Sequence, residues 1–248
     1  MVGYDPESYE ALARSEASSF WFQARNQVIA WALQRDFPEA RRLLEIGCGT
    51  GFVLGGLAGA APQLELTGTD IHPEALAIAR TRSTAALHQM DAREIPYVDE
   101  FDVVGAFDVI EHIAEDTEVL AQMRGAVRPG GGIVVTVPQH PWLWSDFDER
   151  AHHERRYSRS ELVEKVSRAG FRVRRVTSFV TLLLPAMALA RLLQRGRRRH
   201  DIESELVPPT PLHAAYKAIM WVEFALLRSG ASLPVGGSLL LTAVRDSE

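Results

Sequence analysis

Cysteine is almost absent from this chain, which has one, Cys48, among 248 residues. A single cysteine cannot build a disulfide framework or a cysteine-based metal site. Long apolar runs are missing too, since the longest, residues 179–190, has about 12 residues and contains Pro185, whereas a membrane-spanning helix needs about 20. Residues 1–20 lack the apolar stretch of a secretory signal. We therefore expect a cytoplasmic protein without a membrane-spanning helix.

Basic residues are scarce in most of the chain and concentrated in one part of it. The net charge is −5, yet residues 151–200 hold 13 Lys and Arg against 3 Asp and Glu, and the rest hold 14 against 29. This polarity is typical of a face that meets an anionic partner, or of arginines that simply solvate helix faces. Residues 182–199 join an apolar stretch to a basic end, which indicates either peripheral contact with an anionic membrane or a buried cap with a solvated tail.

What the chain does have is a regular alternation of short apolar strands and helical patterns. Its composition, 46% hydrophobic and 24% charged, is that of a globular domain with a sizeable core. The alternation predicts an α/β fold with a doubly wound, mostly parallel, seven-stranded sheet. We predict strands at residues 41–48, 64–70, 86–92, 101–107, 128–138, 171–179 and 238–245.

We expect residues 1–248 to form one domain with two helical additions to the sheet. Residues 1–40 are an N-terminal helical cap, and residues 180–237 are a helical insert between strands six and seven. A connection of that length is typical of a lid or a substrate cap. Within the sheet we predict helices at residues 52–59, 73–82 and 117–127, a capped helix at residues 158–170, and helical structure from residue 108 onward.

A glycine-rich loop, L-L-E-I-G-C-G-T-G at residues 43–51, ends the first predicted strand. Gly47, Gly49 and Gly51 permit a sharp strand-to-helix turn and let a ligand touch the backbone. Asp70 ends the next strand, where a carboxylate can accept hydrogen bonds from both hydroxyls of a ribose. The G-x-G-x-G spacing differs from the G-x-G-x-x-G of pyrophosphate-binding loops, which disfavours an NAD dehydrogenase on the same fold.

Five segments, in this order, resemble the motifs of class I S-adenosylmethionine-dependent methyltransferases of the type 11/12 group. They are E-I-G-C-G-T-G at 45–51, Asp70, M-D-A at 90–92, F-D-V-V-G-A-F-D-V-I-E-H-I at 101–113 and R-P-G-G-G at 128–132. The resemblance covers about residues 20–180. It implies a Rossmann-like methyltransferase fold, S-adenosylmethionine as the cofactor, and methyl transfer as the activity.

The resemblance also implies the cofactor contacts. Gly47 and Gly49 would pack on the methionine part, Asp70 would hold the ribose, and Asp91 would accept from the adenine amino group. Arg25, in F-W-F-Q-A-R-N, would pair with the methionine carboxylate, unless it is an exposed helix arginine. The full expected set is Arg25, Glu45, Gly47, Cys48, Gly49, Gly51, Asp70, Ile71, Asp91, Ala92, Phe107 and Asp108.

The segment D-V-I-E-H carries the candidate catalytic groups. If helical, it places Asp108, Glu111 and His112 on one face beyond strand four, at the sheet edge where such folds bind ligands. The pattern resembles the E-x-x-E-H of metal-requiring ubiquinone O-methyltransferases and small-RNA 2′-O-methyltransferases, with Asp108 replacing the first Glu. H-E-R-R-Y-S-R at residues 153–159 is similar to a downstream segment of the RNA enzymes, which would make His153 a fourth ligand.

This cluster has three interpretations. Asp108, Glu111, His112 and His153 could bind a divalent metal; Glu111, His112 and His153 could form a metal-free catalytic site with a histidine as general base; or the segment could be a structural cap. A divalent metal is possible, but we expect the metal-free arrangement.

We expect the protein to methylate a small or lipid-linked acceptor at O or N, with no nucleic-acid partner. The alternative is a non-catalytic module that binds S-adenosylmethionine and acts as a membrane or RNA adaptor. Trp142, Trp144 and Phe147 follow strand five and either line the acceptor pocket or pack beneath a lid.

Overall fold

A computed structural model describes residues 8–194 and 210–247. These residues form a seven-stranded sheet of order β3-β2-β1-β4-β5-β7-β6, flanked by helices. The strands are β1 Arg42–Ile46, β2 Glu65–Asp70, β3 Ala86–Gln89, β4 Phe101–Phe107, β5 Val127–Pro138, β6 Arg172–Phe179 and β7 Ser238–Val244. The α-helices are α1 Ser8–Glu16, α2 Phe20–Asp36, α3 Phe52–Ala60, α4 Pro73–Arg82, α5 Asp116–Ala126, α6 Asp146–Arg150, α7 Arg159–Arg168, α8 Leu184–Gln194 and α9 Thr210–Arg228.

The sheet is doubly wound and mostly parallel, as predicted. Strands β1 to β5 pair in parallel, and β7 lies antiparallel between β5 and β6. Every residue of β4 is buried, as expected for a strand with helices on both faces of the sheet. The strand order reverses between β1 and β4, so their carboxyl ends border the crevice in which doubly wound sheets bind ligands.

Local sequence signals set several helix boundaries. Pro73 occupies the first turn of α4, where its missing N–H costs no hydrogen bond, and the helix spans the predicted residues 73–82. At the start of α7, Ser158 Oγ accepts a hydrogen bond from the backbone N–H of Glu161 at 3.2 Å, as its capping pattern predicted.

The predicted helix from Asp108 onward is wrong. Asp108 has a left-handed backbone (φ +57°), a single 3-10 turn follows at Ile110–His112, and α5 begins only at Asp116. Tertiary contacts hold this geometry: the N–H of Asp108 donates to the carbonyl of Thr136 at 2.9 Å, which extends the β4–β5 pairing by one residue.

The two insert helices cover one end of the sheet. Leu183 precedes α8 and is buried, as are Met220 and Leu227 of α9, which join the core on the α2 and α3 face. The carboxylate of Glu223 in α9, itself buried, accepts from the backbone N–H groups of residues 180, 181 and 182 at 2.5–2.8 Å. The basic part of the predicted 182–199 segment lies outside the described residues. No helix in the described ranges is long and apolar enough to span a bilayer.

Candidate functional site

One cavity of about 390 Å³ opens at the carboxyl ends of β1, β2 and β4 and continues beneath the insert. Its lining divides into two groups of residues. The glycine-loop end is formed by residues 45, 47–50, 70–72 and 90–92, and the histidine end by residues 111–113, 147, 153, 183, 187 and 216. The cavity therefore joins residues from the whole length of the described chain.

The glycine loop presents its backbone to the cavity. Gly49 has φ +51°, and a Cβ added there would meet no atom within 4 Å, so this position faces open space. Gly47 has φ +63°, and a Cβ there would lie 2.7 Å from a side-chain carbon of Val109, so a larger residue cannot fit. The two glycines thus differ: Gly49 leaves open space beside the backbone, and Gly47 permits close packing on Val109.

Gly51 does not line the cavity, which corrects its predicted cofactor contact. It has φ +76°, and a Cβ there would approach the Cβ of Ala79 to 2.9 Å, so it allows α3 to pack closely on α4. Eleven of the twelve expected cofactor residues do line the cavity: Arg25, Glu45, Gly47, Cys48, Gly49, Asp70, Ile71, Asp91, Ala92, Phe107 and Asp108.

Asp70 ties the glycine loop to the start of α4. Its Oδ2 accepts from the backbone N–H of Gly49 at 2.8 Å and its Oδ1 from that of His72 at 2.9 Å. Burial raises the pKa of Asp70, although both backbone hydrogen bonds oppose the rise. Each carboxylate oxygen can accept a second hydrogen bond, so the side chain can still bind a ligand hydroxyl in the cavity.

Two other buried groups stand at this end. Glu45 Oε2 has no hydrogen-bond partner among the described residues, and burial raises the pKa of Glu45 well above its usual value. A buried oxygen without a partner on a cavity wall marks a place for a ligand donor. Burial also raises the pKa of the Cys48 thiol, which therefore stays protonated and unreactive.

Arg25 is buried, so its interpretation as an exposed helix arginine is wrong. Its Nη1 donates to Asp108 Oδ2 at 2.8 Å, and its guanidinium lies about 5 Å from the ring centroids of Trp21 and Phe22. The same Asp108 oxygen accepts from Thr136 Oγ1 at 3.0 Å. The Asp108 carboxylate is therefore bonded to Arg25 and Thr136 and is not placed to act as the predicted metal ligand.

The structure brings three of the four predicted metal or catalytic residues together. Ligand atoms of Glu111, His112 and His153 lie within 4.8 Å of one another, and Asp108 is not part of this group. Glu111 is fully buried, neither of its carboxyl oxygens has a hydrogen-bond partner among the described residues, and burial raises its pKa well above the usual value. Burial, together with the nearby His153, lowers the pKa of His112 to about 3, so its ring is neutral at pH 7.

Asp148 and Arg156 also belong to this end of the site, and neither was predicted from the sequence. Asp148 Oδ1 lies 2.9 Å from His153 Nδ1 and accepts from Arg156 Nε at 2.7 Å. Burial alone would raise the pKa of Asp148, but these two partners outweigh it and bring the value to about 2. The spacing of Ser145 and Asp148, a capping box at the start of α6, was the one local signal available.

Apolar side chains surround the polar cluster. Phe20, Leu183, Met187 and Tyr216 line the cavity, and of the three aromatics predicted after strand five only Phe147 does so. Trp142 and Trp144 do not line it, and they are 59% and 38% exposed.

The N-terminal helix closes the glycine-loop end through a contact that the sequence did not predict. Glu16 of α1 is buried and accepts from Thr50 Oγ1 at 2.7 Å, and Arg82 donates to both Glu16 and Thr50. Tyr9 of the same helix also lines the cavity.

Comparisons with known proteins agree with this geometry. Residues 44–133 match the family described as "Methyltransferase domain". A demethylmenaquinone methyltransferase of Deinococcus radiodurans is 35% identical over 101 residues, which cover 38% of this chain and 42% of the relative. A ubiquinone biosynthesis O-methyltransferase of Alkalilimnicola ehrlichii is 31% identical over 103 residues, which cover 39% of this chain and 41% of the relative. The match thus spans about two fifths of each curated relative.

A solved structure extends the similarity of fold to nearly the whole chain. The complex of the Haloferax volcanii Trm112 methyltransferase activator with a protein described as a methyltransferase aligns with a TM-score of 0.66 at 18% identity, over 99% of this chain and 100% of that one. At that identity the alignment supports the fold alone. The glycine loop and the strand-end carboxylates Asp70 and Asp91 all lie within residues 44–133, the part in which this chain is similar to methyltransferases.

Proposed function

We propose that this protein transfers a methyl group from S-adenosylmethionine to a small, lipid-like acceptor. The observation that carries the proposal is the single cavity, which joins the glycine loop to the Glu111, His112 and His153 cluster beneath an apolar insert. An enzyme of this class needs both substrates in one enclosed space, because it must hold the nucleophile and the methyl group in line and exclude water.

The glycine-loop end fits the cofactor. Gly49 leaves room for a ligand against the backbone, Asp70 and Asp91 offer carboxylates at two strand ends, and Glu45 carries a buried oxygen without a partner. We propose that Gly47 and Gly49 hold the methionine part, Asp70 the ribose and Asp91 the adenine amino group, with Arg25 at the methionine carboxylate. When bound, the cofactor supplies a methyl group on a positively charged sulfur.

The histidine end would position the acceptor and remove its proton. Asp148 holds His153 Nδ1 at 2.9 Å, which leaves Nε2 of the same ring to accept a proton. His153 would take up the proton that the acceptor oxygen or nitrogen gives up when it receives the methyl group, and the cofactor sulfur would leave as a neutral thioether. His112 is the weaker candidate for the base because burial lowers its pKa to about 3.

The charges in the cavity favour a neutral, largely apolar acceptor. Of the two arginines that line it, Arg156 is paired with Asp148, and Arg25, which is paired with Asp108, is the one that we place at the methionine carboxylate. A phosphate or carboxylate on the acceptor would therefore meet no further arginine among the described lining residues. The two quinone-biosynthesis relatives named above are consistent with a small-molecule acceptor.

A divalent cation is the second candidate use of the same cluster. Glu111, His112 and His153 offer three ligand atoms, and Asp148 supports His153 from behind, as carboxylates often support metal-binding histidines. Titration of the protein with Mn²⁺ or Zn²⁺ in a calorimeter tests this use. Binding that Glu111→Ala removes would assign the cluster to a metal, whereas no heat of binding would leave it to metal-free catalysis.

We propose further that the protein reaches its acceptor at a membrane and that segment 182–199 contributes to the contact. Four arginines, at positions 195 and 197–199, end this segment in the sequence. Neutralising all four with glutamine should weaken association with anionic vesicles and reduce its sensitivity to salt. Unchanged association would remove this segment from the proposal.

The activity is tested with labelled cofactor. The protein is titrated with S-adenosylmethionine and with its demethylated product, and then incubated with methyl-labelled cofactor and either an apolar or a polar cell extract. We expect binding of both compounds and label in the apolar fraction. Label only in the polar fraction would refute a lipid-like acceptor, and binding without label in either would favour a non-catalytic adaptor.

A further inference from the structure

The exposed face of α9 carries apolar residues where a surface helix ordinarily carries charge. Its exposed positions from 212 to 228 are Leu212, Ala214, Ala215, Lys217, Ala218, Trp221, Val222, Ala225, Leu226 and Arg228. None of these is acidic, and the only charged ones are cations. Trp221 is 70% exposed, Val222 47% and Leu226 42%. Positions 214, 218, 221, 222 and 225 follow helical spacing, so they form one stripe along the helix.

The neighbouring part of the insert has the same character. Residues 182, 185, 186 and 189 are exposed, and all are Leu, Pro or Ala. Leu189 is 56% exposed and Leu182 44%. The outer surface of both insert helices, as far as their side chains are described, is therefore apolar and without acidic groups.

The opposite sides of the same elements are also apolar, apart from the buried Glu223, whose carboxylate is bonded to the backbone of residues 180–182. Leu183 and Met187 line the cavity from the α8 side and Tyr216 from α9, while Met220 and Leu227 are buried in the core. A helix that is apolar on its outer as well as its inner side is expected in a second apolar environment, not in water. The insert thus stands between the methyltransferase cavity and whatever covers its outer face.

The charges identify the covering environment as an anionic bilayer surface. Helices that lie in a membrane interface carry aromatic and aliphatic residues on the inserted side, with Lys and Arg near the headgroups. α9 has this composition, with Trp221 on the stripe and Lys217 and Arg228 as its exposed cations. A second copy of this chain on the same face would bring the like charges of the two helices together, which disfavours self-association.

We propose that the exposed face of α9, together with residues 182–189, docks the protein on an anionic lipid bilayer. The surface is defined by Leu182, Leu189, Trp221, Val222 and Leu226. If the proposed function holds, docking here lets a lipid-like acceptor pass from the bilayer between the insert helices into the histidine end of the cavity. The docking itself does not depend on the reaction.

The test uses the full chain and vesicles of phosphatidylcholine, with or without phosphatidylglycerol as a third of the lipid. We expect the protein to sediment with the anionic vesicles, and Trp221→Glu or Leu226→Glu to weaken the association by about tenfold or more, because each places a negative charge on the inserted side. Trp142→Glu is the matched control, since Trp142 is 59% exposed elsewhere on the molecule.

Each outcome decides the proposal. Equal loss of vesicle binding in Trp142→Glu, or no binding of the unaltered chain at low salt, would overturn it. A dimer in sedimentation velocity that Trp221→Glu dissociates, without vesicle binding, would assign the face to a second copy instead. Circular dichroism and S-adenosylmethionine titration of each variant show that the fold is intact. If the unaltered chain does not bind S-adenosylmethionine, the proposed function is refuted. The docking proposal would still be decided by the vesicle measurements.

Discussion

The two ends of the cavity are built in different ways. The glycine-loop end comes from the carboxyl ends of β1, β2 and β3, three adjacent parallel strands, so its residues follow short motifs in chain order. The histidine end combines a turn after β4, the loop around α6 and the insert, which are far apart in sequence. Pairing of parallel strands aligns the first set automatically, whereas only the packing of loops and helices assembles the second.

Their electrostatics differ as well. At the glycine-loop end Asp70 is held by two backbone N–H groups and Asp91 by Arg93, which lowers the pKa of Asp91. At the histidine end, burial raises the pKa of Glu111 and lowers that of His112, while His153 and Arg156 bring the pKa of Asp148 to about 2. These differences fit the proposed roles, with a polar cofactor at one end and a neutral acceptor that gives up a proton at the other. The predictions below separate these roles.

The largest effect is expected at the proposed base. His153→Asn should lower kcat about 100- to 10,000-fold and leave cofactor affinity unchanged, because the variant cannot take up the acceptor proton. Kinetics with saturating cofactor measure kcat, and calorimetry measures the affinity. His152→Asn, at the exposed neighbouring position, is the control. A similar loss in both variants would show a structural disturbance and remove His153 from the reaction.

At the other end, Asp70→Ala should weaken S-adenosylmethionine binding by about 1–3 kcal/mol, because the ribose would lose a charged acceptor. Glu74→Ala, an exposed carboxylate in the first turn of α4, should leave the affinity unchanged. Calorimetric titration measures both. Unaltered affinity in Asp70→Ala would make the ribose assignment wrong.

A smaller effect is expected at the contact between α1 and the glycine loop. Glu16→Gln keeps the shape of the side chain but removes the charge that Arg82 pairs with, so cofactor affinity should fall about fivefold through a faster off-rate. Stopped-flow dissociation measures the rate. Glu10→Gln, exposed on the same helix, should have no effect. An unchanged off-rate in Glu16→Gln would mean that α1 does not retain the cofactor.

The smallest effect concerns stability at the histidine end. The pKa of Glu111 is raised in the fold, so its burial costs stability once the pH exceeds the usual glutamate value of about 4.5. Glu111→Gln removes this cost and should raise Tm by about 2–4 °C at pH 7, with the gain disappearing as the pH approaches 4.5. Thermal unfolding across pH measures it, with Glu118→Gln, exposed on α5, as control. A gain that does not depend on pH would contradict a raised pKa.

Local patterns were sufficient for the sheet and for finding residues that line the cavity, which include eleven of the twelve expected at the cofactor. The bounds of α4 and β4 match those predicted from Pro73 and from the apolar run at residues 101–107. The prediction of a helix from Asp108 was wrong because the backbone of Asp108 pairs with Thr136 and its carboxylate with Arg25. Both contacts join residues that are far apart in sequence. Asp148 was not predicted as a site residue, because only the folding of the chain around α6 brings it into contact with His153 and Arg156.

The sequence by itself therefore determined the α/β architecture and the glycine-loop end, because hydrophobic period, turn chemistry and strand-end position are encoded within short segments. Only the tertiary structure shows that Gly51 permits helix packing and that Asp108 pairs with Arg25, outside the predicted metal site. It also shows that the outer face of α9 is exposed. Each depends on which distant surface a residue meets. Sequence period indicates that a helix is apolar, but only the packed chain shows which of its faces has no partner within the described structure.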